Sequence, residues 1–180
     1  MMNLTLRKPA NHLDWLRIRL LYHRAFPRNE RKPFKIIRRM HKEGRTDVWL
    51  AEQDGHFAGL AATINGGETI LLDYFAVEKK LRGQGVGSTF LQALLTLYEG
   101  RGLFVEIEAA DREDPTGVKA RRKQFYLRNG LQEMHVIAIL FGVRMELLGR
   151  GCTLDFDAYH DFYHDNYSAW AAEHVVRPED

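Results

Sequence analysis

The chain has 180 residues, 45% of them hydrophobic. That is enough for one domain with a full core and argues against two independent domains. Its 26 Lys and Arg nearly balance 24 Asp and Glu, for a formal charge of +2, so nothing in the total calls for a nucleic-acid partner. One cysteine, Cys152, excludes an intramolecular disulfide and a multi-cysteine metal site. The opening segment lacks the charged start, apolar middle and cleavage site of a signal peptide. No apolar run approaches the ~20 residues that span a bilayer. A cytoplasmic location without a membrane partner is the resulting expectation.

In chain order, "NLTLRK" (3–8) alternates apolar and polar side chains as a strand does and stops at Pro9. "NHLDWLRIRLLYHRAF" places Leu13, Leu16, Leu20 and Tyr22 to Phe26 at helical spacing and stops before Pro27. A charged turn, "PRNERKP", leads to "FKIIRRMHKEGR". There Phe34, Ile36, Ile37 and Met40 form one side of a second helix that Gly44 ends. "DVWLAEQ" and "HFAGLAATI" flank Asp54-Gly55 as a hairpin, and Gly66-Gly67 reverses the chain into "TILLDYFAV", apolar enough to be buried on both faces. "STFLQALLTLYEG" is a helix with Phe90, Leu91, Leu94, Leu95 and Tyr98 inward. "LFVEIEAAD" is a strand, and "VKARRKQFYLRNG" a helix stopped at Asn129-Gly130. Two more strands, "LQEMHVIAILF" and "VRMELL", surround Gly142. An aromatic-rich helix (153–172) then docks as the C-terminal element before a frayed "RPED" end. With no repeat or linker, the order predicts a single α+β (mixed α/β) domain over residues 1–180. Its centre is a mixed, mostly antiparallel sheet of about seven strands flanked by helices.

The most informative stretch is "LRGQGVGS" (81–88), a glycine loop between a strand end and a helix start. A helix N-terminus exposes unpaired N–H groups and the positive end of the dipole, so such a loop is an anion site. A phosphate loop of the G-x-x-x-x-G-K-[ST] type needs a lysine that is missing here. A dinucleotide fingerprint fits Gly83 and Gly85 only if Ser88 replaces the third glycine. The charged "EKKLR" also separates it from its strand.

Arg82-Gly83-Gln84-Gly85-Val86-Gly87 resembles the R/Q-x-x-G-x-G/A signature of the GNAT superfamily of acetyl-CoA-dependent N-acyltransferases. "QFYLRNGL", with Tyr126, Gly130 and Leu131, is similar to that family's later tyrosine helix, and the element order is similar as well. The resemblance implies a coenzyme A pyrophosphate held by the N–H groups of Gln84, Val86, Gly87 and Ser88, with Arg82, Gly83 and Gly85 shaping the loop. It also implies a pantetheine arm paired to the backbone of Phe75, Ala76 and Val77. Tyr126 becomes the donor of a proton to the leaving thiolate, whose ordinary pKa is about 8.5. Many members carry an asparagine one turn earlier, where this chain has "VKARRK"; Arg122, with its basic neighbours, is expected to replace it with contacts to the coenzyme's phosphates.

N-acetylation consumes a neutral amine, so a base or water chain is required. Asp73, Glu106 and Glu108 are the candidates. The two glutamates share one strand face, where close like charges raise one pKa, or else pair with the nearby "KARRK". Glu108 and Asp73 are carried as candidate bases, and Glu106, Phe26 and Glu30 as substrate contacts. His160 and His164 have i, i+4 spacing but lack the intervening glutamate of a zinc motif, so no metal is expected. These features together predict direct acetyl transfer from acetyl-CoA to a primary amine of a small molecule or peptide. The alternative is a non-catalytic coenzyme A-binding domain. The aromatic C-terminal helix either seals the core or meets a partner, a homodimer included.

Overall fold

The computed structural model describes residues 3–28, 30–110 and 114–179. Its elements run β1 (Leu4–Arg7), α1 (His12–Ala25), α2 (Phe34–Lys42), β2 (Thr46–Gln53), β3 (His56–Gly66), β4 (Thr69–Val77), a 3-10 turn (Lys79–Leu81), α3 (Val86–Leu97) and β5 (Gly102–Glu108). There follow α4 (Val118–Arg128), β6 (Gln132–Leu140), β7 (Val143–Arg150), α5 (Phe156–Asn166), α6 (Ala169–Ala172) and β8 (Val175–Val176). The strands form one eight-stranded sheet in the order β1-β2-β3-β4-β5-β7-β6-β8. β4 and β5 are parallel, while β1–β2, β2–β3, β5–β7, β6–β7 and β6–β8 are antiparallel. This is the mixed, mostly antiparallel sheet that the element order predicts, with β8 as the additional strand.

Internal contacts group the chain into two units, Met1–Asn65 with Leu72–Leu97, and Gly66–Leu71 with Tyr98–Asp180. In the first, Ile18, Leu21, Tyr22, Ile37, Val48 and Leu60 are packed together in the core. Asn11 caps α1 by accepting from the Asp14 N–H at 2.9 Å, the local bond that Asn favours at this position. The Leu13, Leu16 and Leu20 stripe does have helical spacing, but it faces outward, at 45–53% exposure, whereas Asp14, Ile18, Leu21 and Tyr22 are buried. Asp14 earns its place through Arg7, whose guanidinium donates to both carboxylate oxygens at 2.7 and 2.8 Å and to Glu52 at 2.7 Å. The β2–β3 hairpin turns through Asp54 (φ 51°) and Gly55 (φ 78°), the left-handed pair that suits a two-residue loop.

In the second unit the core is built from β5, β7 and α5. The Phe104 and Phe162 rings meet edge to face at 5.0 Å, and Leu103, Val105, Leu147 and Tyr159 are buried. The stretch 153–172, predicted as a single C-terminal helix, is instead two helices, α5 and α6, with β8 following them. Ser168 caps α6 by accepting from the Ala171 N–H at 3.1 Å, and the chain then pairs Val175 and Val176 with Leu140 and Ile139. A serine hydroxyl that can bond the backbone ahead of it favours a new start over helix continuation. β5 ends at Glu108; Asp111, which closes the predicted strand, and Asp180, which closes the frayed end, lie outside the described residues.

Candidate active site

In the first unit, β4 feeds the glycine loop through the 3-10 turn. Register between β4 and β5 is confined to Thr69–Leu71, so Phe75, Ala76 and Val77 lie further along β4. Phe75 stacks obliquely on Phe90 of α3 at 4.8 Å, and Ala76 and Val77 are buried. Arg82 is exposed and its Nε donates to the Val77 carbonyl at 3.1 Å, tying the loop to the strand end. Gly83 and Gly85 sit at φ +76° and +83° with nothing within 4 Å of where a Cβ would lie. Conformation, rather than crowding, selects glycine at both. The loop is thus open above, as close approach of a bulky anion needs.

The helix begins at Val86, two residues before the predicted start, and Thr89 N–H to Gly85 at 3.0 Å opens its bonding. The N–H groups of Val86, Gly87 and Ser88 therefore have no acceptor within α3, and no acidic residue occupies its first turn. Val86 is fully buried and anchors the turn from below; the Gln84 amide donates to the Lys80 carbonyl at 2.7 Å. The residues fit a pyrophosphate: backbone N–H groups left over at a helix start, a helix dipole and no carboxylate in the first turn.

The same unit gathers an aromatic cluster around β4. Tyr74 lies against Tyr22 at 4.8 Å and Phe26 at 4.9 Å between centroids. Its hydroxyl donates to the Glu30 carbonyl at 3.1 Å. Burial pushes the Tyr22 phenol up to about 12 and raises that of Tyr74 as well. Lys32 Nζ donates to both oxygens of Asp73, at 2.7 and 2.8 Å. Asp73, a candidate base from the sequence, is thus held by a cation, and Phe26 and Glu30 contribute to one cluster with Tyr74.

In the second unit, Tyr126 lies in the last turn of α4 at 7% exposure. Burial pushes its phenol up to about 12, against a smaller opposing effect from Arg122, so it is protonated throughout the neutral range. The basic run of α4 divides by partner. Lys119 pairs with Glu108 at 3.1 Å, Lys123 with Glu146 at 2.7 Å and Glu133 at 3.0 Å, and Arg121 donates to the Thr116 carbonyl. Arg122 is exposed and forms no ion pair among the described residues. Glu106 accepts from Tyr159 at 2.9 Å and Tyr163 at 3.0 Å. The two glutamates of β5 therefore separate: Glu108 goes to α4, and Glu106 to α5. Sequence reasoning missed the two tyrosines, although their i, i+4 spacing on an aromatic helix is the signal of paired donors on one face.

Among known proteins, the family model described as an acetyltransferase (GNAT) domain matches residues 44–133, a stretch that holds the glycine loop and the Tyr126 helix together. The chain belongs to the GNAT acetyltransferase family. No curated protein matches it. Its fold is similar to that of a protein from Bacteroides thetaiotaomicron assigned to the GNAT family, at 19% identity and a TM-score of 0.77, covering 94% of this chain and 98% of that one. It is also similar to the ribosomal-protein-S18-alanine N-acetyltransferase from Escherichia coli, at 20% identity and a TM-score of 0.64, covering 84% and 96%. A third is an aminoglycoside 6'-N-acetyltransferase solved with coenzyme A, at 12% identity and a TM-score of 0.66, covering 83% and 96%. The stretch of this GNAT chain that the family model matches includes Arg82 to Ser88. Among the described residues no helix is long and apolar enough to cross a membrane.

Proposed function

We propose that this GNAT protein is an N-acetyltransferase that moves the acetyl group of acetyl-CoA directly to a primary amine. The observation that carries the reading is the open left-handed glycine loop at Gly83 and Gly85, ending at the N–H groups of α3. These residues would hold the pyrophosphate, with the backbone of Phe75 to Val77 pairing the pantetheine arm. The amine nitrogen attacks the thioester carbonyl, the nitrogen–carbon bond forms, the carbon–sulfur bond breaks, and the nitrogen sheds its proton to a carboxylate or water. Tyr126 keeps its proton until the sulfur carries negative charge and then gives it up. Of the candidate bases, Glu108 and Asp73 each face a lysine, so a water chain or displacement of that lysine precedes their use as bases.

The acceptor is a small-molecule or peptide amine. Phe26, Glu30 and Glu106 are carried as its contacts, and no nucleic acid takes part; a homodimer and a cytoplasmic location belong to the same proposal. The test is release of free coenzyme A thiol from acetyl-CoA across a panel of polyamines, amino acids, aminoglycosides and peptide N-termini. Amine-dependent release is expected; coenzyme binding without release by any amine would favour the non-catalytic alternative. The ion pair that fills Asp73 is the observation on that side.

The same reading gives Arg122, exposed beside the paired Lys119 and Lys123, a contact to the coenzyme's phosphates. Arg122→Ala is expected to weaken acetyl-CoA binding by about threefold to tenfold and to flatten its dependence on salt, since exposed charge contacts are screened beyond ~10 Å at moderate ionic strength. Calorimetric titration at two salt concentrations reads both; an unchanged salt slope would remove Arg122 from the site.

A further inference from the structure

We propose that Lys32 is a self-acetylation site, its Nζ accepting the acetyl group within the same chain. The inference rests on the reading that β4 and its glycine loop hold acetyl-CoA.

Lys32 is gripped at three points. Its backbone N–H donates to the Tyr74 hydroxyl at 3.1 Å, its carbonyl accepts from the Tyr22 hydroxyl at 3.0 Å, and its Nζ donates to both Asp73 oxygens. The ammonium also stands 5.2 Å from the Tyr74 ring centroid, within reach of a cation–π attraction. Tyr22 and Tyr74 are 1% and 5% exposed, and their raised pKa keeps both protonated and donating. By contrast, Lys35, Lys79 and Lys80 are exposed on the surface. A half-buried ammonium held by a carboxylate and an aromatic face has the surroundings of a bound amine substrate.

The place along β4 matters as much. Asp73 precedes Val77 by four residues, about 13 Å of strand at ~3.3 Å per residue. The pantetheine arm is a chain of roughly twelve bonds, the backbone length of about four extended residues or ~14 Å. An arm that leaves the loop after Val77 and runs back along β4 brings its thioester alongside Asp73 and the ammonium it holds.

The step balances without another reactant. The Lys32 ammonium gives one proton to Asp73, and the freed lone pair attacks the thioester carbonyl. The nitrogen–carbon bond forms, the nitrogen sheds a second proton to solvent, and the carbon–sulfur bond breaks. Tyr126 protonates the thiolate as in transfer to an added amine and regains a proton from the Asp73 carboxyl by way of solvent, leaving an acetylated Lys32, free coenzyme A and one proton in solvent. The cation that fills Asp73 is neutralised in the process.

The test incubates the full chain with acetyl-labelled acetyl-CoA and no amine, followed by peptide mapping. One acetyl group per chain at Lys32 is expected, with a half-time unchanged on about tenfold dilution of the protein and lengthened by excess coenzyme A. Lys32→Arg should carry no label there, and Asp73→Asn should slow labelling at least about tenfold while still binding coenzyme. Should Asp73→Asn fold poorly, the mapping and dilution series on the unmutated chain decide. Label spread evenly over Lys32 and the exposed Lys35, Lys79 and Lys80 would overturn the proposal. So would an unlabelled Lys32 in protein that acetylates added amines, a result that leaves the N-acetyltransferase reading standing. Absence of coenzyme binding would sink both.

Discussion

Tyr126→Phe is expected to lower kcat for acetyl transfer by about 10²- to 10³-fold, the usual worth of a positioned general acid. That is about 3–4 kcal/mol of the barrier. The dissociation constant for acetyl-CoA should not change, because the ring is kept and the loop lies elsewhere in the chain. Burial sets a second expectation. A phenol held up at about 12 stays protonated in the free enzyme, so kcat/KM should rise as the amine loses its proton and show no fall assignable to Tyr126 between about pH 7 and 10. Steady-state rates against pH for the wild-type chain, with Tyr126→Phe alongside, test both statements. Turnover by the variant within about threefold of wild type would assign the proton to water.

Asp14→Ala is expected to cost about 3 kcal/mol of folding stability, near the lower end for breaking a buried pair. Asp14 is 1% exposed, while Arg7 is 36% exposed at its side chain and keeps Glu52 at 2.7 Å, so only part of the guanidinium's interaction is lost. The Ala10 N–H also loses its acceptor. The bidentate contact from Arg7 holds the Asp14 carboxyl well below the usual carboxylate range. A depressed folded-state pKa gives stability that is present above the unfolded value of about 3.9 and is lost as pH falls below it. Urea denaturation at neutral pH and near pH 3 should therefore show a larger gap between wild type and Asp14→Asn at neutral pH. Equal gaps at both would sink the ionic account.

The elements best read from the chain are those whose signal is local. Asp54-Gly55, Gly44 and the 82–88 loop announce backbone conformations that few other residues adopt, and each turns where it was predicted. The Tyr126 helix and its stop at Asn129-Gly130 follow from periodicity and a glycine at φ +92°. What stayed hidden depends on residues far apart in sequence. Leu13, Leu16 and Leu20 look like a packed face until Arg7 draws Asp14 inward. Lys32 and Asp73 are 41 positions apart, and Glu106 and Tyr163 57 apart; no window of helical or strand spacing joins such pairs. Polar partners inside a fold are fixed by tertiary placement, which is why the lysine of Asp73 and the tyrosines of Glu106 stayed unnamed, whereas Lys119, the partner of Glu108, lies in the basic run "KARRK" that the sequence offered.

The irregularity in β6 bears on how the chain meets copies of itself. Register with β7 shifts between Glu133 and Ile137, and His135 within it takes φ +57°. On its other edge, among the described residues, β6 is paired only at Ile139 and Leu140, by the two residues of β8. A straight strand so thinly covered would be a template for edge-to-edge addition and fibril growth. The kink at His135 spoils that template by breaking the even row of donors and acceptors an incoming strand needs. Straightening it would raise the tendency to aggregate while leaving the chemistry of the glycine loop untouched.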